Sequence, residues 1–167
     1  MLRAKVTNSC DYIKVQSADF DMAFEYQRLR ESEINDGAVV IFVGLVREFS
    51  QNKQIKSMFL EHYPAMTEKA LGAIVADARI KWPLGQVSLI HRIGYLAANA
   101  QIVMVGVTSE HRHAAFAAAE FIMDYLKIRA PFWKKEMTNK GDFWVEAKTS
   151  DNEAAAKWQQ SGLQETI

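Results

Sequence analysis

The run Gly37–Val46 (GAVVIFVGLV) constrains the fold more than any other stretch of this chain. It follows Asn35-Asp36-Gly37, a turn signal, and its β-branched residues favour extended backbone, so it reads as a largely buried strand. Val87–Ile93 and Gln101–Ser109 (QIVMVGVTS) are apolar runs of the same kind, and antiparallel pairing across the 94–100 connection is the simplest arrangement. A chain of 167 residues, 49% of them hydrophobic, can bury such strands in one domain with its own core.

Other segments fill in around these strands. Ile55–Tyr63 reads as a strand, and Thr67 offers a hydroxyl N-cap for a helix with Ala70, Leu71, Ile74, Val75 and Ala78 on one face. That helix stops before Trp82-Pro83. From about His113 an Ala-rich helix presents Phe116, Ala119, Phe121, Met123 and Leu126, and Pro131 must end it. Phe132–Met137 and Asp142–Ala147 flank the turn composition Thr138-Asn139-Lys140-Gly141, the pattern of a β-hairpin. Residues 149–167 read as a loose helix or tail. The expected class is α+β, a mostly antiparallel sheet with packed helices, in a single domain over 1–150 followed by a tail over 151–167.

Charge and cysteine usage exclude several function classes. Twenty Lys and Arg balance twenty Asp and Glu, so no global field recruits nucleic acid, and anion binding must come from local clustering. The single cysteine, Cys10, excludes an intramolecular disulfide or a Cys-x-x-Cys site and fits a reducing, cytoplasmic setting. The longest wholly apolar stretch, Ala38–Val43, is far below the roughly 18 residues that span a bilayer, and MLRAKVTNSCDYIKV lacks a secretory apolar run, so no membrane partner is expected. Phosphate-binding loops, dinucleotide fingerprints and nucleophile elbows are missing from the sequence.

A local anion site does stand out. Between 127 and 140 the chain carries Lys127, Arg129, Lys134, Lys135 and Lys140 against Glu136 alone. Lys127 lies in the last turn of the Ala-rich helix, and strand alternation after Pro131 puts Phe132, Lys134 and Glu136 on one face and Trp133, Lys135 and Met137 on the other. Converging ammonium groups shielded by aromatic rings would lower one amine's pKa and make it an acid, base or nucleophile. The plainer reading has Lys127 neutralising the helix dipole beside ordinary exposed strand lysines. His111 and Arg112 precede the same helix, where anions are favoured. Arg47, at the end of the first apolar run, is a guanidinium suited to a phosphate or carboxylate, or else a solvated loop residue. His62 and His91, flanked by apolar residues, read as structural histidines, His113 as a surface residue, and no ligand set for a metal is completed.

At these same residues the chain resembles the large, catalytic subunit of molybdopterin synthase, in GAVVIFVGLVRE, LEHYPAMTEKAL, KWPLGQVSLIHRIG, VGVTSEHRHAAF, FIMDYLKIRAPFWKKE and WVEAK. The resemblance implies an α/β hammerhead fold and a sulfurtransferase of molybdenum cofactor biosynthesis. Such an enzyme converts cyclic pyranopterin monophosphate to molybdopterin with two sulfurs from the C-terminal Gly-Gly thiocarboxylate of a small ubiquitin-like partner. It implies a homodimer within a heterotetramer and no cofactor. Lys127 and Lys134 correspond to catalytic lysines, and Leu45, Val46, Arg47, His111, Arg112, Lys135 and Glu136 to substrate-pocket residues, with His111 or Arg112 acting within one protomer or across the dimer. Leu45 stands where many relatives carry lysine, the loop over 48–52 differs, and Lys148 replaces an arginine, departures that bear on phosphate affinity more than on catalysis. Two other readings of the residues are a non-catalytic adaptor whose basic hairpin docks an acidic partner tail, and a lysine Schiff-base lyase.

Overall fold

The computed structural model describes residues 11–31, 35–50, 52–146 and 149–160. Cys10 and Lys148 lie outside the described residues, as do Gln51 and 161–167. In chain order the elements are β1 (Tyr12–Gln16), α1 (Met22–Arg30), β2 (Ala38–Leu45), β3 (Phe49–Ser50), β4 (Lys53–His62), α2 (Pro64–Lys81), β5 (Val87–Arg92), β6 (Gly94–Ala97), β7 (Gln101–Ser109), α3 (Arg112–Arg129), β8 (Phe132–Thr138), β9 (Gly141–Val145) and α4 (Thr149–Gln160). The class is α+β, and every strand pair is antiparallel except β1 with β5.

One sheet has the order β1-β5-β7-β2. Its interior strand β7 is buried from Ile102 to Ser109. The partner β2, expected to be largely buried, has no fully buried residue, and Phe42 and Leu45 are exposed. The difference follows from position: β2 is the sheet's edge and has a neighbouring strand on one side only. Val103, Val105 and Val107 of β7 face a large core shared with Leu71, Ile74 and Val75 of α2 and Phe121 and Ile122 of α3. Met104 points the other way, into a smaller cluster with Phe20 and Ile90. Gly106 lies on that second face, where a Cβ would stand 2.5 Å from a Leu29 methyl, so its lack of a side chain lets α1 pack down.

The other sheet has the order β3-β4-β8-β9, with β6 also paired to β4. The chain passes from β5 in the first sheet to β6 in the second through Gly94, whose φ of 79° lies where glycine carries no steric penalty.

Sequence expectations for β4, β5, β7, α3 and the β8–β9 hairpin match the observed elements within a few residues. Four details differ. The 94–100 connection contains the short strand β6. Thr67 is not the N-cap of α2; the helix starts at Pro64, which supplies helical φ at a position needing no N–H, and the Thr67 hydroxyl donates to the Tyr63 carbonyl at 2.8 Å. Phe116 is 63% exposed, because the buried stripe of α3 runs through Ala115, Ala118, Ala119, Ile122 and Leu126 and bypasses it. Finally, 149–160 is a helix docked on α3 through Trp158, whose ring packs edge-on against Phe121 at 5.6 Å and Trp82 at 5.5 Å. Truncating the fully buried Phe121 to Ala would cost about 3–5 kcal/mol. No helix among the described residues is long and apolar enough to cross a membrane.

Candidate active site

The basic cluster forms around a corner with no slack. At the end of α3 the Ala130 N–H donates to Leu126 O, and Ala130 itself is extended, as the residue before proline prefers to be. The Phe132 N–H then donates to Ala130 O at 2.9 Å, closing a three-residue turn centred on Pro131. Helix therefore becomes strand within two residues, and Lys127 and Lys134 leave from its two sides.

On the strand side, β8 lies between β4 and β9, with Lys134 opposite Leu60 and Val145, and Glu136 opposite Met58 and Phe143. Directly opposed residues share a face, and Leu60 and Met58 are buried, so Lys134 and Glu136 belong to the inward face of this sheet. Phe132, two residues before Lys134 on that face, stacks on His91 with centroids 3.8 Å apart and lies 6.3 Å from the His62 ring. Lys135 alternates to the outer face, paired with Asp142 at 3.5 Å beside Trp144. The two neighbouring lysines thus serve different surfaces.

His91 is almost fully buried. Burial pushes its pKa down to about 4, and the charges of Lys134 and His62 act in the same direction, against the hydrogen bond to Arg92 O. The ring is neutral near pH 7, and its Nδ1, 2.8 Å from that carbonyl oxygen, carries the proton. His62 is fixed similarly. The Thr67 hydroxyl proton goes to Tyr63 O, so its oxygen accepts from His62 Nδ1 at 3.3 Å.

On the helical side, Lys127 is about half exposed and forms an ion pair with Asp151 of α4 at 3.4 Å. Glu120 and Asp124, two turns and one turn earlier on the same stripe, meet Lys157, and Asp124 also accepts from Trp158 Nε1 at 2.8 Å. These pairings make α4 antiparallel to α3.

His111 and Arg112 stand at the opposite end of α3, both exposed, with His111 Nε2 3.6 Å from Glu110. From Arg112 to Lys127 the helix rises about 22 Å, too far for both ends to hold one compact ligand within one chain. Arg47 is exposed just beyond the Leu45 end of β2, and that end pairs with Gln101, at the other end of β7 from Ser109. The fold therefore separates His111 and Arg112 from Arg47. Leu45 is exposed, whereas Val46 is buried, its N–H donating to Ala100 O at 2.9 Å and its carbonyl accepting from Asn99 N–H at 2.7 Å. The Val46 N–H and carbonyl are thus both used within the fold.

Comparison with known proteins decides the family. The family model described as MoaE protein matches residues 15–129. The chain belongs to the MoaE family. Its relatives in this family include a Haemophilus influenzae protein named molybdopterin synthase catalytic subunit, 54% identical over 146 residues, covering 87% of this chain and 97% of the relative. A protein of the same name from Escherichia coli K12 is 55% identical, with the same coverage. Among solved structures, the molybdopterin biosynthesis MoaE protein of Burkholderia ambifaria superposes with a TM-score of 0.77 at 47% identity, covering 89% of this chain and 98% of that one.

Two residues of this MoaE chain that touch the cluster were not singled out from sequence. Asp151 lies in a polar stretch with no pattern linking it to Lys127. The sequence marks His91 only as a structural histidine, since a lone imidazole in an apolar strand does not say which strand packs over it.

Proposed function

We propose that this chain is the sulfur-inserting subunit of a molybdopterin synthase, converting cyclic pyranopterin monophosphate to molybdopterin with sulfur from the C-terminal Gly-Gly thiocarboxylate of a small ubiquitin-like partner. The observation that carries the reading is a pair of lysines fixed on the two sides of the Pro131 turn, in a chain more than 50% identical to proteins bearing that catalytic name. Lys127 holds the donor's thiocarboxylate and stabilises charge as its sulfur attacks the pterin side chain. Lys134 orients the substrate and moves a proton. Glu136 shares the Lys134 face and lines the pocket, with Leu45 at its rim and Lys135 contributing from the outer surface.

Arg47, His111 and Arg112 clamp the cyclic phosphate. Because α3 keeps His111 and Arg112 about 22 Å from Lys127, they are supplied by a second copy of the chain, in a homodimer that carries a small subunit at each end. A reducing cytoplasm suits both the donor thiocarboxylate and a chain with one cysteine.

The test is reconstitution: purified chain, thiocarboxylated partner and cyclic pyranopterin monophosphate yield molybdopterin, and a wild-type chain that yields none overturns the proposal. Mixing Lys127→Ala with Arg112→Ala protein tests the shared site. Each variant alone is nearly inactive, and mixed dimers recover about a quarter of the activity, since half the dimers are hybrid and each hybrid has one intact site. No recovery, with subunit exchange verified, places both residues in one protomer.

A further inference from the structure

We propose that His91 is a positioning residue for Lys134, its unprotonated Nε2 serving as the acceptor that orients the Lys134 amine. This rests on the reading of Lys134 as a catalytic amine and deepens it. The His91 tautomer is set by its hydrogen bond to Arg92 O, which leaves Nε2 with a lone pair and no proton. Phe132 lies flat on the ring, 3.8 Å away and 16° from parallel, and Lys134 follows on the same face of β8. From the flanking strands β1 and β7 the ring's backbone partners are Val15 and Val103, so the charges brought to it come from Lys134 on β8 and His62 on β4.

Burying an imidazole where a leucine would pack is costly unless its polar atoms are used. Here the use is specific. A carboxylate beside Lys134 would lock the lysine as a cation, whereas a neutral acceptor takes an N–H from either the ammonium or the free amine. The side chain stays aimed while its proton moves.

The experiment compares His91→Phe, which keeps the stack on Phe132 but has no acceptor, with His91→Gln, whose amide oxygen replaces Nε2. In the reconstituted synthase His91→Phe is expected to lose about ten-fold or more in kcat with KM within about two-fold, and His91→Gln to recover much of that loss. By NMR, Lys134→Met raises the pH at which the His91 ring titrates, from about 4 in the wild type. A wild-type kcat in His91→Phe, or a His91 titration unmoved in Lys134→Met, overturns the proposal. The NMR result stands even where His91→Phe fails to fold or the wild-type chain makes no product, so a failure here is separable from a failure of the synthase reading.

Discussion

Lys127 and Lys134 are separated by six intervening residues and one tight turn, yet the fold treats them differently. Lys127 ends at the surface beside the Asp151 carboxylate of a docked helix, while Lys134 sits on an inward sheet face beside a phenyl ring and a neutral, buried imidazole. The contrast teaches a division of labour. A solvent-facing ammonium is a handle that an incoming anion can take from an existing carboxylate, and an amine held among rings is one whose orientation is set before substrate arrives.

The largest expected effect tests which faces matter. Lys127→Ala and Lys134→Ala each lower kcat by about 10²–10³-fold in the reconstituted assay, whereas Lys135→Ala, on the outer face, lowers it less than about three-fold. Equal losses at 134 and 135 would break the face assignment. Next comes pH. His91 titrates near 4 in the folded chain against 6.5 in the unfolded one, so the unfolded state takes up a proton that the folded state refuses. Stability from this group is complete above about pH 6.5 and falls as pH drops toward 4, by about 3 kcal/mol in total. Urea unfolding at a series of pH values reads this, and His91→Phe flattens that part of the profile. The smallest effect sharpens the other side: Asp151→Asn costs under about 1 kcal/mol by thermal melt, because Lys127 is about half exposed and the pair is screened by water, and it leaves the His91 titration unchanged.

Much of this arrangement was legible in the residues. Apolar runs located β2, β5 and β7, Pro131 located the end of α3, and the turn composition at 138–141 located the hairpin, because each depends on local periodicity or on backbone chemistry. Alternation along β8 correctly divided Lys134 from Lys135. What local pattern does not carry is pairing order: nothing in GAVVIFVGLV distinguishes an edge strand from a central one, and nothing in SLIHRIG says that Phe132 covers His91. The elements β1 and α1 were missed because Tyr12–Gln16 is short and α1 buries only Glu25 and Leu29, although Asp21, whose side chain accepts from the Phe24 N–H at 2.9 Å, was a readable cap.

The Ala130–Pro131–Phe132 turn also sets a parity. A strand repeats every two residues, so one amino acid inserted between helix and strand would invert the phase of everything downstream, turning Lys134 outward and Lys135 inward. An insertion of two residues would keep the phase but lengthen the span between the two amines.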